Sequence, residues 1–144
     1  MKKTLLFLLL SFAFVFHSFS QDLSEPKGGG TLDIVLVSPS DGYSIMNFEG
    51  NITGYGLVFV KLKVASINSS KTSGTLDGDA RTILNDGTLI STPIKGSWKR
   101  ADALMKFYFL DAINNGAMNF VMWDVNLLEK KADVKYFELH SADN

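Results

Sequence analysis

Alternation of apolar and polar residues dominates the chain after Gly30. In residues 57–67 the apolar side chains stand at every second position, and two lysines occupy the positions between them. Successive side chains of a β-strand point to opposite faces, so this pattern predicts half-buried strands and not helices. Clusters of turn-forming residues divide the region into eight such runs. We predict strands over 31–37, 43–49, 57–67, 73–84, 88–99, 103–111, 117–127 and 132–140.

Two short polar segments predict tight hairpins, Asn85-Asp86-Gly87 and Asn114-Asn115-Gly116. The first of them also sets a register for the two strands that it joins. If Leu84 pairs with Thr88, one face of the pair is apolar or small and the other carries opposite charges across the strands, as on a half-exposed sheet. The expected partners are Thr82 with Ile90, Gly78 with Ile94, Leu76 with Gly96, and Asp77 with Lys95.

Eight consecutive antiparallel strands with short connections predict an all-β domain in which the sheet closes on itself. An eight-stranded, antiparallel, up-and-down barrel leaves no long edge unpaired. A two-sheet β-sandwich is the alternative. Gly78, Ala80 and Gly96 are small residues on the predicted inner face, where they either admit the indole of Trp98 or leave space for a ligand.

The glycine pattern of the region 50–140 resembles that of calycin-like barrels of the allene oxide cyclase type. The matching features are Gly54-x-Gly56, Gly74-x-x-x-Gly78, Asp86-Gly87 and Gly96-x-Trp98. The resemblance implies a closed barrel with a central cavity. It carries no catalytic residue across to this chain.

The first twenty residues have the three parts of a secretory signal peptide. Lys2 and Lys3 precede a nearly continuous apolar run over residues 4–15, and Ser18-Phe19-Ser20 supplies small residues for a signal peptidase. We therefore expect a signal peptide over 1–20, cleavage after Ser20, a flexible tether over 21–30 and one domain over 31–144. The expected location is secreted or periplasmic, without membrane attachment after cleavage. An uncut N-terminal anchor is the alternative.

Composition excludes several classes of function. The chain has no cysteine, and His140 is its one histidine outside the leader, so a zinc site is not expected. The formal net charge of −1 argues against nucleic-acid binding, which needs a basic face. Asp77-Gly78-Asp79 begins like a calcium loop but lacks the remaining oxygen ligands. We predict no metal and no cofactor.

The segment 104–127 is apolar on both faces of its two predicted strands. It forms either a deeply buried pair or a contact surface for a partner. Two carboxylates, Asp111 and Asp124, lie within this segment. Together with Tyr108 they are the candidate catalytic residues. The candidate ligand-binding residues are Trp98, Tyr108, Asn119 and Trp123.

No assembled catalytic motif is present in the sequence, so the expected function is non-enzymatic binding of a small apolar ligand or of a protein partner. The alternative is a cofactor-free cyclase or isomerase that works inside the barrel, suggested by the resemblance alone. A structural domain with a filled core is the third possibility.

Overall fold

Eight antiparallel strands close into a single barrel. The computed structural model describes Leu23 and residues 25–141, so the predicted signal peptide and its cleavage site lie outside the described residues. Each strand pairs with its neighbours in sequence, and β1 also pairs with β8. The strands are β1 (Gly28–Ser40), β2 (Tyr43–Ile52), β3 (Gly56–Ser66), β4 (Ser73–Leu84), β5 (Leu89–Ala101), β6 (Leu104–Ala112), β7 (Met118–Asn126) and β8 (Lys131–His140).

This arrangement is the predicted all-β, up-and-down barrel with calycin-like topology, and the sandwich alternative is wrong. Closure through the β1–β8 pair satisfies the backbone hydrogen-bonding groups that two separate sheets would leave at their edges. The part of the chain that the structure describes contains no helix of the length and apolar character needed to cross a membrane.

The two faces of each strand separate as the alternation predicts. On β3, Leu62 and Val64 point inward and are buried, whereas Lys61 and Lys63 point outward and are exposed. The apolar face turns inward because burying it removes apolar surface from water, and the lysines retain their hydration on the outside.

Both predicted hairpins are confirmed, and each uses its glycine in the left-handed region. In the first, the Leu84 amide donates to the Thr88 carbonyl, and Gly87 has a φ of 87°. In the second, the Ile113 amide donates to the Ala117 carbonyl, and Gly116 has a φ of 90°. Glycine suits this position because a β-carbon would be strained there.

The register predicted from the first hairpin is confirmed at all four pairs. β4 and β5 align Thr82 with Ile90 and Gly78 with Ile94, and the two remaining pairs follow in the same register. On the outer wall, Lys95 Nζ lies 3.0 Å from Asp77 Oδ2. One turn therefore determines which side chains of this strand pair enter the core.

The start of β1 differs from the prediction. The sequence predicts a tether over the glycines of residues 28–30, but they form the beginning of the strand and pair with β8. A β-carbon at Gly28 would lie 2.7 Å from the Tyr136 hydroxyl oxygen, and one at Gly30 would lie 2.5 Å from the Asn51 carbonyl oxygen. These glycines permit close approach of neighbouring backbones and rings, which a composition-based reading takes for flexibility.

Aromatic side chains fill the middle of the barrel. The Trp123 ring lies 5.0 Å from the Phe48 ring, 5.4 Å from Phe109 and 6.0 Å from Phe107, measured between centroids. All four residues are at most 4 % exposed. The small residues at Gly96 and Gly74 serve this packing, because they let the β6 backbone and the Trp98 indole approach closely.

Candidate functional site

A cluster of polar side chains occupies one end of the barrel. We call this end the Tyr55 mouth; the β2–β3, β4–β5 and β6–β7 turns surround it, together with the start of β1 and the end of β8. Asp111 and Asn119 face each other from β6 and β7, Tyr136 comes from β8, and Tyr55 comes from the β2–β3 turn. Four different parts of the chain thus place these side chains together.

Hydrogen bonds link three of these four residues, Asp111 to Asn119 and Asn119 to Tyr55. The Asn119 backbone N–H donates to Asp111 Oδ1 at 3.1 Å, and the Asn119 side-chain Nδ2 donates to the Tyr55 hydroxyl at 2.6 Å. Asn119 is only 2 % exposed, so its backbone N–H and its side-chain amide are both paired away from solvent. The Tyr55 and Tyr136 rings meet edge to face at 5.0 Å between centroids.

Burial changes the acid–base behaviour of the cluster. Loss of solvent raises the pKa of Asp111 from 3.8 to about 6, although hydrogen bonds from Asn119 act in the opposite direction. Burial also raises the pKa of Tyr55 to about 12, and the nearby Asp111 charge adds to that effect. The Tyr55 hydroxyl therefore stays protonated near neutral pH, whereas the Asp111 carboxyl titrates near pH 6. The pKa of Tyr136 is raised for the same reason, with Glu138 as a further cause.

A small cavity of about 60 Å³ lies beneath the Tyr55 mouth, and Asp111 is the one charged side chain among the described residues that line it. The Thr82 and Thr92 hydroxyl-bearing side chains also line it, and each is only 5 % exposed. Aliphatic and aromatic side chains form most of the remaining wall, including Leu32, Val58, Val60, Ile94, Val121 and Val134.

Trp123 lines the same cavity and has an unsatisfied donor. Its indole Nε1 is buried and has no hydrogen-bond partner within the described part of the chain. Buried donors are usually paired, and an exception needs an explanation. The edge-to-face contact with Phe48 offers a weak interaction with an aromatic face, which is second-order compared with a hydrogen bond.

The structure brings three of the six sequence-predicted residues to this cavity region and separates the others from it. Asp111 and Trp123 line the cavity, and Asn119 holds Asp111. Trp98 is buried towards the opposite end of the barrel, where its Nε1 donates to the Ala65 carbonyl at 3.1 Å.

Tyr108 and Asp124 lie on the outer wall. Asp124 is exposed and forms an ion pair with Lys106, and the Lys99 ammonium lies 5.8 Å from the centre of the Tyr108 ring. Both residues occupy outward positions of the alternation, so neither reaches Asp111 through the barrel interior. The set of Asp111, Asp124 and Tyr108 does not converge on one site.

Tyr55, Tyr136 and the two threonines were missed by sequence reasoning. Tyr55 sits between Gly54 and Gly56, whose φ values are 87° and 129°. A single aromatic residue between two glycines could have indicated this position, since such a turn can fold a ring back over the end of the barrel. Tyr136 points inward from β8, as Ala132 and Val134 do, so the alternation along β8 already predicts that it lies inside the barrel.

The outer side of the 104–127 hairpin is only partly covered. Leu104 is 58 % exposed, Leu110 is 50 % exposed and Met118 is 39 % exposed. Tyr108 and Met122, also on this face, are half-buried. The inward-facing side chains of the hairpin belong to the core, so the segment is buried on one side and not on both.

Within residues 25–141, no three histidine or acidic side chains come together in a way that could hold a metal ion. The two carboxylates that resemble a calcium loop are both in ion pairs: Asp77 pairs with Lys95, and Asp79 lies 3.3 Å from Arg81.

Comparisons with protein-family models, with curated proteins and with solved structures find no match to this chain. The class is therefore defined by geometry: an antiparallel calycin-like barrel with a small, mostly apolar cavity and a polar cluster at one mouth.

Proposed function

We propose that this protein is an exported binding protein that holds a small, mostly apolar ligand beneath the Tyr55 mouth. The observation that carries the proposal is the Asp111 carboxyl, which faces an apolar cavity and has no cationic partner within residues 25–141. A half-buried carboxyl without a counter-charge opposes folding when it is ionised. Such groups concentrate at functional sites, where a ligand supplies the missing partner.

The cavity volume limits the size of the ligand. An apolar cavity of roughly 150 Å³ accepts benzene, which has six heavy atoms. The cavity of about 60 Å³ therefore accepts a group of about two or three heavy atoms, with the rest of a longer ligand extending through the mouth. Most of the interior is filled by side chains, so a large lipid-like occupant is not proposed.

The two tryptophans permit a direct test with an internal control. The isotope-labelled protein is titrated with 1-propanol, n-propylammonium and butyrate, which share an n-propyl group. We expect at least one probe to shift the Trp123 indole N–H resonance in a ¹H–¹⁵N spectrum, because Trp123 lines the cavity. The Trp98 resonance should stay in place, because its indole is bonded to Ala65 at the other end.

For such small probes we expect dissociation constants of roughly millimolar order. If none of the three probes shifts the Trp123 resonance selectively, the binding proposal is wrong and the filled-core alternative is favoured.

Export is tested independently of binding. Expressed with its leader in a bacterial host, the protein should be recovered from the periplasm or the medium with Gln21 as its first residue. Intact mass spectrometry measures this directly. An uncleaved product that sediments with membranes would instead support the N-terminal anchor.

A cofactor-free isomerase or cyclase is the second candidate, and the acid–base state of Asp111 favours it. A carboxyl with a pKa of about 6 is suited to proton transfer near neutral pH. Tyr55 replaces Tyr108 as the neighbouring hydroxyl in this version, since Tyr108 faces outward. Turnover of a bound compound that Asp111→Asn abolishes without weakening binding would distinguish the enzyme from the binding protein.

A protein partner is the remaining alternative within the binding hypothesis. The partly exposed outer face of the 104–127 hairpin is the surface that favours it, because contiguous apolar surface marks contact sites.

A further inference from the structure

Two acidic side chains lie near the Tyr55 mouth. Asp111 lies at the cavity, and Glu138 on β8 is close enough to raise the pKa of both Tyr55 and Tyr136. Glu138 has a cationic partner on the exposed rim, because Lys27 Nζ lies 4.0 Å from Glu138 Oε1. Within residues 25–141 no lysine, arginine or histidine forms an ion pair with Asp111. The field at the cavity therefore favours a positive charge.

The hydrogen-bonding groups at this mouth also suit a donor. Asp111 Oδ1 accepts a hydrogen bond from the Asn119 backbone N–H, and Asn119 supplies the hydrogen bonds that lower the pKa of the carboxyl. A carboxylate accepts several hydrogen bonds when it is ionised, so acceptor capacity is left over. An alkylammonium group has three N–H donors and no acceptor, which matches a site that offers oxygen lone pairs.

Aromatic rings provide a second favourable contact for a cation. Tyr55 and Tyr136 both line the cavity beside Asp111 and lie edge to face against each other. Aromatic faces attract cations, most strongly where water is excluded. The walls below are mostly aliphatic and aromatic, with the Thr82 and Thr92 hydroxyls and the Trp123 N–H as polar groups, and they suit a short hydrocarbon chain.

Taking the proposed binding function as its basis, we propose that the ligand class is a small primary alkylammonium, with its ammonium on Asp111 and its alkyl chain in the cavity. An anion with the same alkyl group is repelled by the ionised Asp111 carboxylate. A neutral alcohol fills the same apolar space and can donate one hydrogen bond to Asp111, but it lacks the positive charge that forms an ion pair with the carboxylate.

The test compares the three matched probes on the intact exported protein at pH 7.5. We expect n-propylammonium to bind at least about tenfold more tightly than 1-propanol, because only the ammonium carries a positive charge that pairs with the Asp111 carboxylate. Butyrate should bind most weakly. Dissociation constants come from the Trp123 indole shift, with the Trp98 indole as the unaffected reference.

Two carboxylate variants separate this site from general charge effects. Asp111→Asn should abolish the preference for n-propylammonium over 1-propanol and retain 1-propanol binding, because the amide keeps the size of the side chain and removes its charge. Asp124→Asn changes the net charge equally but lies on the outer wall, so it should leave all three constants unchanged.

The outcomes distinguish the two proposals. If 1-propanol occupies the cavity as tightly as n-propylammonium, or if the ammonium preference survives Asp111→Asn, the alkylammonium inference is overturned and the binding function stands. If no probe shifts the Trp123 resonance selectively, both proposals fail together.

Discussion

Replacing Gly96 with alanine is expected to lower the free energy of unfolding by about 3 kcal/mol or more, or to prevent folding. Gly96 on β5 pairs with Phe109 on β6. A β-carbon at Gly96 would overlap the Tyr108 carbonyl oxygen and would lie 2.5 Å from Phe109 Cβ. Most of these neighbours are backbone atoms, so rotation of a side chain cannot relieve the overlap and the two strands must separate.

Two control variants identify the cause of that loss. Ser97 follows Gly96 on the exposed side of β5. Ser97→Ala should therefore change the free energy of unfolding by less than about 0.5 kcal/mol. Gly87→Ala meets no atom within 4 Å but requires a positive φ, so it should lose about 1 kcal/mol from backbone strain alone. Urea unfolding measures all three variants. A Gly96→Ala loss no larger than that of Gly87→Ala would contradict the close approach of β5 and β6.

Asp111→Asn is expected to stabilise the protein at alkaline pH and to have little stabilising effect in acid. Burial raises the pKa of Asp111 from 3.8 to about 6, so the folded state binds this proton more tightly than the unfolded chain does. The stability that Asp111 contributes is therefore complete below about pH 3.8 and is lost as the pH rises through 6. Asparagine does not titrate and avoids that loss.

The expected size of this effect follows from linkage. Two pKa units correspond to nearly 3 kcal/mol, which is an upper limit because the mouth is partly open to solvent. We therefore expect a gain of about 1–3 kcal/mol. Urea unfolding of the wild type and Asp111→Asn at pH 4 and pH 8 measures the difference at each pH. Asp124→Asn loses a surface ion pair with Lys106 and should show no gain in stability at pH 8. An equal effect of Asp111→Asn at both pH values would mean that the carboxyl is not buried.

The stability and binding results at Asp111 are linked by one cause. A carboxylate that weakens folding when it is ionised without a partner is also the group that a bound cation stabilises. We therefore expect Asp111→Asn to be more stable and to lose cation preference together, which is a common relation between stability and function at binding sites.

Local sequence patterns determined the architecture of this protein. The alternation of apolar and polar side chains predicted the buried and exposed faces of β3. The turn Asn85-Asp86-Gly87 determined the register between β4 and β5. Both signals are short-range: alternation comes from strand geometry, and the turn places its flanking residues opposite each other. Closure follows from them, because eight short-linked strands have few ways to pair every edge.

Tertiary structure alone decided which polar residues form the candidate site. Asp111 and Asp124 stand in similar apolar surroundings in the sequence, yet one faces the cavity and the other pairs with Lys106 outside. Tyr55 reaches Asn119 across 64 positions of the chain, a contact that exists only because the barrel closes. The glycines of residues 28–30 likewise gain their role from the β8 and β2 backbones beside them. Local patterns specify which side of a strand a residue occupies, but the groups it meets there depend on strands that are distant in sequence.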